Sequence, residues 1–220
     1  EERTARRATI LVTDMASGEQ RLIKKSADFS ADPLHVDLTK RFRSGKSSMI
    51  ETESGNMFLT VSVPPPRLVI IGAVHISQAL APMAEIAGFD VTIIDPRTAF
   101  ATEERFPGET LIAEWPEDVL KNMPFDAFTA VAAVTHDPKI DDLPLQEALK
   151  AGCFYVGALG SRKTHAKRVE RFLEAGIAQA DIDRIDAPIG LDIGAASPAE
   201  IAVAVLGKVI AALRKEPEAA

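Results

Sequence analysis

From residue 67 onward, short apolar runs alternate with longer segments in which apolar residues recur every three or four positions. That is the pattern of a parallel sheet covered by helices, because strands buried on both faces read as continuous apolar runs. The runs predict strands over 68–71, 91–94, 110–113, 127–134 and 154–156; the periodic segments predict helices over 76–87, 117–122, 145–151, 162–175 and 198–214. Gly88 and Gly176 each follow a predicted helix, where glycine most easily adopts a left-handed cap. Ser197-Pro198-Ala199-Glu200 opens the last helix as a capping box with proline in its first turn.

The pattern before residue 64 is different. Segments 8–13 and 21–25 predict two strands around Ser17-Gly18, and 48–53 and 57–63 predict another pair around Ser54-Gly55-Asn56. Between the pairs, Leu34, Leu38 and Phe42 lie at four-residue spacing within 33–44, which suits an amphipathic helix. Pro64-Pro65-Pro66 separates the two patterns, since three prolines hold an extended connector that neither donates to a sheet nor continues a helix. The expectation is a small α+β domain over 1–63, a proline linker over 64–66 and an α/β domain over 67–220. So short a first domain has a thin core and is expected to pack on the larger domain or on another subunit.

Composition narrows the function classes. The 220 residues are 46% apolar, which supports a packed core and excludes disordered, collagen-like and disulfide-stapled chains. No apolar run approaches the ~20 residues of a membrane-spanning helix, and Glu1 to Arg7 is too polar for a secretory signal. A cytoplasmic protein with no membrane partner is expected, and the start on Glu1 suggests trimming or an incomplete start. Because Cys153 is the single cysteine, one chain can build neither a disulfide nor a Cys-rich zinc or iron–sulfur site. The net charge is −7, yet residues 1–66 carry 10 basic and 9 acidic side chains while 67–220 carry 15 and 23. Nucleic acid is therefore disfavoured as a partner of the larger part. Its cations are also clustered: Arg162, Lys163, Lys167, Arg168 and Arg171 fall within ten positions, with Glu170 the only acid among them.

Four strand ends carry candidate chemistry. The first strand of the larger domain runs into Gly72-Ala73-Val74-His75-Ile76-Ser77, and the second ends at Asp95. A dinucleotide fingerprint wants Gly at its first and third positions, a small sixth residue and an acid about 20 residues on for the ribose hydroxyls. Gly72 and Asp95 fit and Ser77 is a mild change, but the β-branched Val74 would crowd a diphosphate. The architecture reads as Rossmann-like; NAD(P) and an NAD(P)-dependent oxidoreductase are the weaker reading, and a strand-turn-helix corner kept for packing is the bland one. In Asp95-Pro96-Arg97, Asp95 can accept from ribose or pterin donors and Arg97 can pair with a phosphate, or the two can simply cap and neutralise a turn. In Thr135-His136-Asp137, His136 can donate, exchange a proton or bind a metal with Asp137 orienting it, or Asp137 can bond the backbone ahead of Pro138.

The stretch Gly157-Ala158-Leu159-Gly160-Ser161-Arg162-Lys163-Thr164 is the most informative. Its glycines let a loop pass close to a ligand, and Ser161 is placed to cap the helix that follows. Arg162 and Lys163 then stand against the positive end of their own helix dipole, at a cost of a few tenths to ~1 kcal/mol each. A bound phosphate reverses that sign. The alternative is a solvated basic face that reaches a second copy of the chain or an acidic partner, a protein-interaction module without ligand. Asp192 lies in the flexible Gly190-Leu191-Asp192-Ile193-Gly194, as a ligand contact or an exposed turn. Cys153 begins an apolar strand and is expected in the core, and His75 and His165 lie near the proposed anion sites without an assignable partner.

These motifs, in the order Pro64-Pro65-Pro66-Arg67-Leu68, Gly72-Ala73-Val74-His75, Asp95-Pro96-Arg97, Thr135-His136-Asp137-Pro138, Gly157 to Arg162 and Pro188 to Gly194, resemble the XdhC/CoxI family, accessory factors for maturation of xanthine dehydrogenase and related molybdenum hydroxylases. The resemblance covers about residues 60–214. It implies a Rossmann-like domain that binds the molybdenum cofactor, as molybdopterin or its dinucleotide form, while a terminal sulfido ligand is installed, and then delivers it. It implies Gly72, His75, Asp95, Arg97, His136, Asp137, Gly160, Ser161 and Arg162 as ligand-site candidates, to which Val74, Gly157, Lys163 and Asp192 are added from the loops above. The implied partners are the molybdenum hydroxylase apoenzyme, a cysteine desulfurase and a second copy in a homodimer. With no nucleophile-base-orienter set in the sequence, a non-catalytic maturation factor is expected.

Overall fold

A computed structural model describes residues 6–215; the polar start, over residues 1–5, lies outside them. The chain divides into two compact units, Glu1–Pro64 and Pro65–Ala220. In the first, β1 (Thr9–Asp14), β2 (Gln20–Lys24), β3 (Ser48–Thr52) and β4 (Gly55–Ser62) form an antiparallel sheet in the order β2-β1-β4-β3. Helix α1 (His35–Ser44) lies against β1 and β4 and turns Leu38 and Phe42, four residues apart, into the core with Ile10, Val12 and Leu59. The Asp14 carboxylate accepts from the Ala16 and Ser17 amides and so fixes the first hairpin turn.

The second unit is a six-stranded, wholly parallel sheet of β5 (Arg67–Ile71), β6 (Asp90–Ile94), β7 (Leu111–Ile112), β8 (Thr129–Ala133), β9 (Tyr155–Ala158) and β10 (Ile185–Asp186). The order β7-β6-β5-β8-β9-β10 is the doubly wound 3-2-1-4-5-6 arrangement, whose switch point falls between β5 and β8. The strand period of two decides which helices cover each face. Leu68 and Ile70 point into one core layer with α2 (His75–Ile86) and α7 (Pro198–Arg214). Val69 and Ile71 point into the other, with α3 (Pro116–Asn122), α4 (Pro138–Lys150), α5 (Arg162–Glu174) and α6 (Gln179–Ile182). Ala130, Ala132 and Ala133 keep β8 thin, so helices approach the sheet centre closely. The α/β class and Rossmann-like sheet expected from the apolar pattern are borne out.

The largest difference from the sequence expectation is α4, expected from residue 145 and found from Pro138. Asp137 caps it and Pro138 occupies its first turn, where a missing N–H costs nothing. Pro144 lies inside the helix and normally breaks one, at about 3 kcal/mol; here it is buried beside Leu145 and Ile140, and packing holds it. Two-residue β10 and four-residue α6 are too short for any periodicity to show, so no sequence pattern points to either. Among the described residues no helix is long and apolar enough to cross a membrane.

Phe172 on α5 is fully buried in the second layer. Phe172→Ala should lower the unfolding free energy by about 3–5 kcal/mol through the cavity it leaves. Urea unfolding with an unchanged slope checks this.

Candidate functional site

The carboxyl ends of β5, β6, β8 and β9 carry all but one of the ligand-site candidates read from the sequence, Asp192 lying beyond β10. Gly72 leaves β5 with its amide donating to the Ile94 carbonyl at 2.8 Å, and its φ of +120° suits glycine. A Cβ there would stand 2.7 Å from Thr135 Cγ2, so the turns after β5 and β8 touch at the switch point. Val74 precedes α2 in extended conformation without a side-chain cap, and the first turn, beginning at the exposed His75, holds no acid. The Ser77 hydroxyl turns inward and donates to the Gly72 carbonyl.

Asp95 is completely buried and fully committed within the protein. It accepts from the Ala73 amide at 2.7 Å, the Arg97 amide at 2.9 Å, Arg97 Nε at 2.9 Å and Arg97 Nη2 at 2.7 Å. Burial opposes its ionisation, but Arg97 and the two amides outweigh burial and hold the carboxyl below its ordinary range. The same oxygens are thus not presented to ribose hydroxyls, and Asp95 acts as the clamp of the glycine turn. Arg97 keeps about a third of its side chain exposed and lies over Phe100, 4.6 Å from the ring centroid. From the loop that follows, Arg105 Nη1 donates to the Ala73 carbonyl at 2.9 Å and the Phe100 carbonyl at 2.7 Å. Sequence reasoning misses Arg105, because nothing in its local context shows that it folds back 32 residues.

After β8, Asp137 caps α4 by accepting from the Lys139 amide at 3.0 Å, the turn-forming alternative read from the sequence. His136 is exposed, at a φ of +66° that is uncommon for a residue with a Cβ. Thr135 Oγ1 accepts from the Asp137 amide at 3.0 Å and donates to Asp141 at 2.7 Å. Asp141 is 1% exposed, one of its oxygens has no hydrogen-bond partner, and burial pushes its carboxyl up to about 6. On α5, Arg168 is 3% exposed; its Nη2 reaches the Leu159 carbonyl at 3.4 Å, its Nε lies 3.7 Å from Asp142, and its Nε and Nη1 make no hydrogen bond. Both are invisible in the sequence, because their burial is a product of the α4–α5 packing and leaves no local signal.

After β9, Gly160 takes a φ of +137° and Ser161 caps α5 by accepting from the Thr164 amide at 3.2 Å. Arg162 and Lys163 are exposed in a first turn with no acid, as the sequence indicates. Gly157 has a different role: a Cβ there would lie 2.6 Å from the Tyr155 hydroxyl and 2.7 Å from Ile189, so this glycine faces a packing contact instead of a ligand. Arg162 and Asp192 line one cleft of about 530 Å³ with Leu159, Leu191 and Ile201. Asp186 holds the 188–194 segment there, accepting from Tyr155 Oη at 2.7 Å and the Gly190 amide at 2.8 Å. Half-buried His165 has an unpartnered Nδ1, and burial, then Arg168, lower its pKa. Cys153 packs in the core, where burial pushes its thiol up to about 12. No group of three or more His, Cys, Asp or Glu residues is placed to hold a metal ion among the described residues.

Sheet order and the glycine turn after the first strand define a Rossmann-type α/β domain. Residues 68–209 match the XdhC Rossmann domain, and the chain belongs to that family. It is 33% identical over 159 residues to a Bacillus subtilis protein named as a probable xanthine dehydrogenase subunit, covering 72% of this chain and 46% of that protein. It is 32% identical over 146 residues to the molybdenum cofactor insertion chaperone PaoD of Escherichia coli, covering 66% of this chain and 40% of that one. The chain thus spans less than half the length of these curated relatives. A crystal structure described as a xanthine dehydrogenase from Bacillus halodurans shares the fold over 99% of this chain and 63% of that one, at a TM-score of 0.65 and 22% identity.

Asp141 gives a pH signature. Its folded pKa lies above that of an ordinary carboxyl, so the protonated form favours the fold; this contribution is complete below about pH 4 and is lost as pH rises through about 6. The stability of the wild type relative to Asp141→Asn should therefore fall by about 3 kcal/mol between pH 4 and 7. Denaturant unfolding at several pH values reads the difference, and a flat difference would remove the assigned desolvation.

Proposed function

We propose that this chain holds the molybdenum cofactor by its phosphate end and supports insertion of that cargo into a xanthine dehydrogenase-type molybdenum hydroxylase, as a maturation factor and not a turnover enzyme. The observation that carries the reading is the start of α5. Two cations stand in a first turn without an acid, Ser161 satisfies the Thr164 amide, and the Arg162 and Lys163 amides have no partner among the described residues. Helix amides, helix dipole and two cations converge on one position, and a phosphate there turns an unfavourable charge placement into a favourable one. A second helix start, at Val74, has no side-chain cap and lies near Arg97 and Arg105 at the switch point, where the remainder of a pterin or dinucleotide would find donors.

The relative named as a molybdenum cofactor insertion chaperone supports the cargo, and the relative named as part of a xanthine dehydrogenase supports the class of target. A buried thiol held protonated is a poor sulfur carrier or metal ligand, so the pterin and phosphate are the handles by which this unit holds molybdenum. Sulfuration of the held cofactor, a cysteine desulfurase as sulfur donor, a homodimeric assembly and a cytoplasmic location complete the proposal.

The full chain isolated from cells that make the cofactor should carry molybdenum, measured by elemental mass spectrometry per protein. Arg162→Ala with Lys163→Ala should lower that loading about ten- to hundredfold, as two charge-assisted contacts to phosphate are lost. Equal loading of the wild type and the double variant would sink the phosphate assignment.

A further inference from the structure

The segment after β10 is tied down along its backbone while its side chains stay in solvent. The Gly190 amide donates to Asp186 at 2.8 Å, the Leu191 amide donates to the Ala204 carbonyl at 3.1 Å, and a Cβ on Gly190 would stand 2.9 Å from the Val205 nitrogen of α7. Yet Leu191 is 41% and Ile193 54% exposed. A backbone held at these points is not free to fold the two side chains away, and apolar surface kept exposed beside charged groups marks a place where something else packs. The cleft they border, about 530 Å³, has Leu159, Ile189 and Ile201 in its walls together with two charges, Arg162 and Asp192. These two make no hydrogen bond or ion pair, with each other or with any other described residue. A preformed apolar cleft with one free donor and one free acceptor has the make-up of a site for a flat organic ligand.

We infer that this cleft seats a planar heterocycle with a 2-amino-4-oxo edge, which Asp192 binds by accepting from the ring N–H and the neighbouring exocyclic amine, while Arg162 takes the ligand's anionic group at the start of α5. The inference rests on the reading of the chain as a holder of the molybdenum cofactor, and it names the part of that cargo the cleft recognises. An ionised carboxylate only accepts, through two oxygens side by side, so it matches an edge with two adjacent donors. Rings that set an amine beside a bare ring nitrogen, as adenine and cytosine do, turn an acceptor toward the second oxygen and are disfavoured. A pterin and a guanine share the matching edge. The apolar walls suit the faces of such a ring, and the first turn of α5, where Arg162 and Lys163 stand without an acid, suits its phosphate. The donors at the switch point are left for the rest of the molecule.

Isothermal titration of the full chain, free of molybdenum, tests this with two pairs of probes. Pterin-6-carboxylate is compared with lumazine-6-carboxylate, which has a carbonyl in place of the amine, and guanosine monophosphate with inosine monophosphate, which lacks the amine. The amine should raise affinity about tenfold within a pair. Asp192→Asn, at an exposed position with no partner to lose, should erase that preference and leave the thermal midpoint unchanged. A preference in the pterin pair assigns the cleft to the pterin, and one in the nucleotide pair alone assigns it to a guanine base. No saturable binding, equal affinities within both pairs, or a preference that survives in Asp192→Asn overturns the inference. Unchanged molybdenum loading of Arg162→Ala with Lys163→Ala would remove the phosphate assignment and leave an amine preference standing, so the two failures are distinguishable.

Discussion

Asp95 is the group on which the carboxyl edge depends. It is a charged side chain with no solvent contact, and such a group persists only when its oxygens are fully satisfied. Arg97 supplies both a side-on guanidinium and an amide, and Ala73 supplies the third direction. Leaving a buried charge unpaired costs about 3–5 kcal/mol, so the clamp fixes the glycine turn with an energy comparable to a large share of total stability. With the Ala73 amide held by Asp95 and its carbonyl by Arg105, both faces of that peptide neighbourhood are set. The uncapped start of α2 and the contact with Thr135 follow from that geometry.

The same clamp explains why a dinucleotide-like spacing is misleading here. Gly72 and Asp95, 23 positions apart, suit a fingerprint in which the acid reaches a ribose. In this fold the acid faces the turn itself, because an arginine two residues later occupies its oxygens. Sequence spacing reports that the two groups meet at adjacent strand ends; whether the acid faces a ligand depends on Arg97, whose side-chain direction no spacing encodes.

The sheet is legible because burial on both faces writes itself directly into the sequence as apolar runs, and the alternation of Leu68, Val69, Ile70 and Ile71 between two core layers is a tertiary consequence of that local rule. The loops after β5, β6, β8 and β9 are legible for the same reason: glycines, prolines and polar residues cluster where the runs end. The start of α4 is not, since Pro144 reads as a breaker unless its burial is known, and the cap at Asp137 reads equally as a catalytic partner for His136. Asp141, Arg168 and Arg105 escape for a deeper reason. Each acquires its role from a partner in another element, so the signal exists only after folding.

The cation cluster on α5 changes meaning for that reason too. Five basic residues within ten positions look like one patch on an acidic chain, but the helix distributes them between environments. Arg171 is spent on Asp142 and Arg168 is buried beneath the loop, whereas Arg162, Lys163 and Lys167 are exposed. Of these three, Arg162 and Lys163 lie in the first turn, where the dipole and free amides add to their charge; Lys167 is a turn further on, where the dipole effect has fallen away. The cluster is thus two exposed cations in front and a buried arginine behind them, and the two parts meet at the loop of Leu159 to Ser161. A surface built for a polyanion would spread its cations along a face. Two cations concentrated at one helix start with free amides suit a single small anionic group better than an extended polyanion.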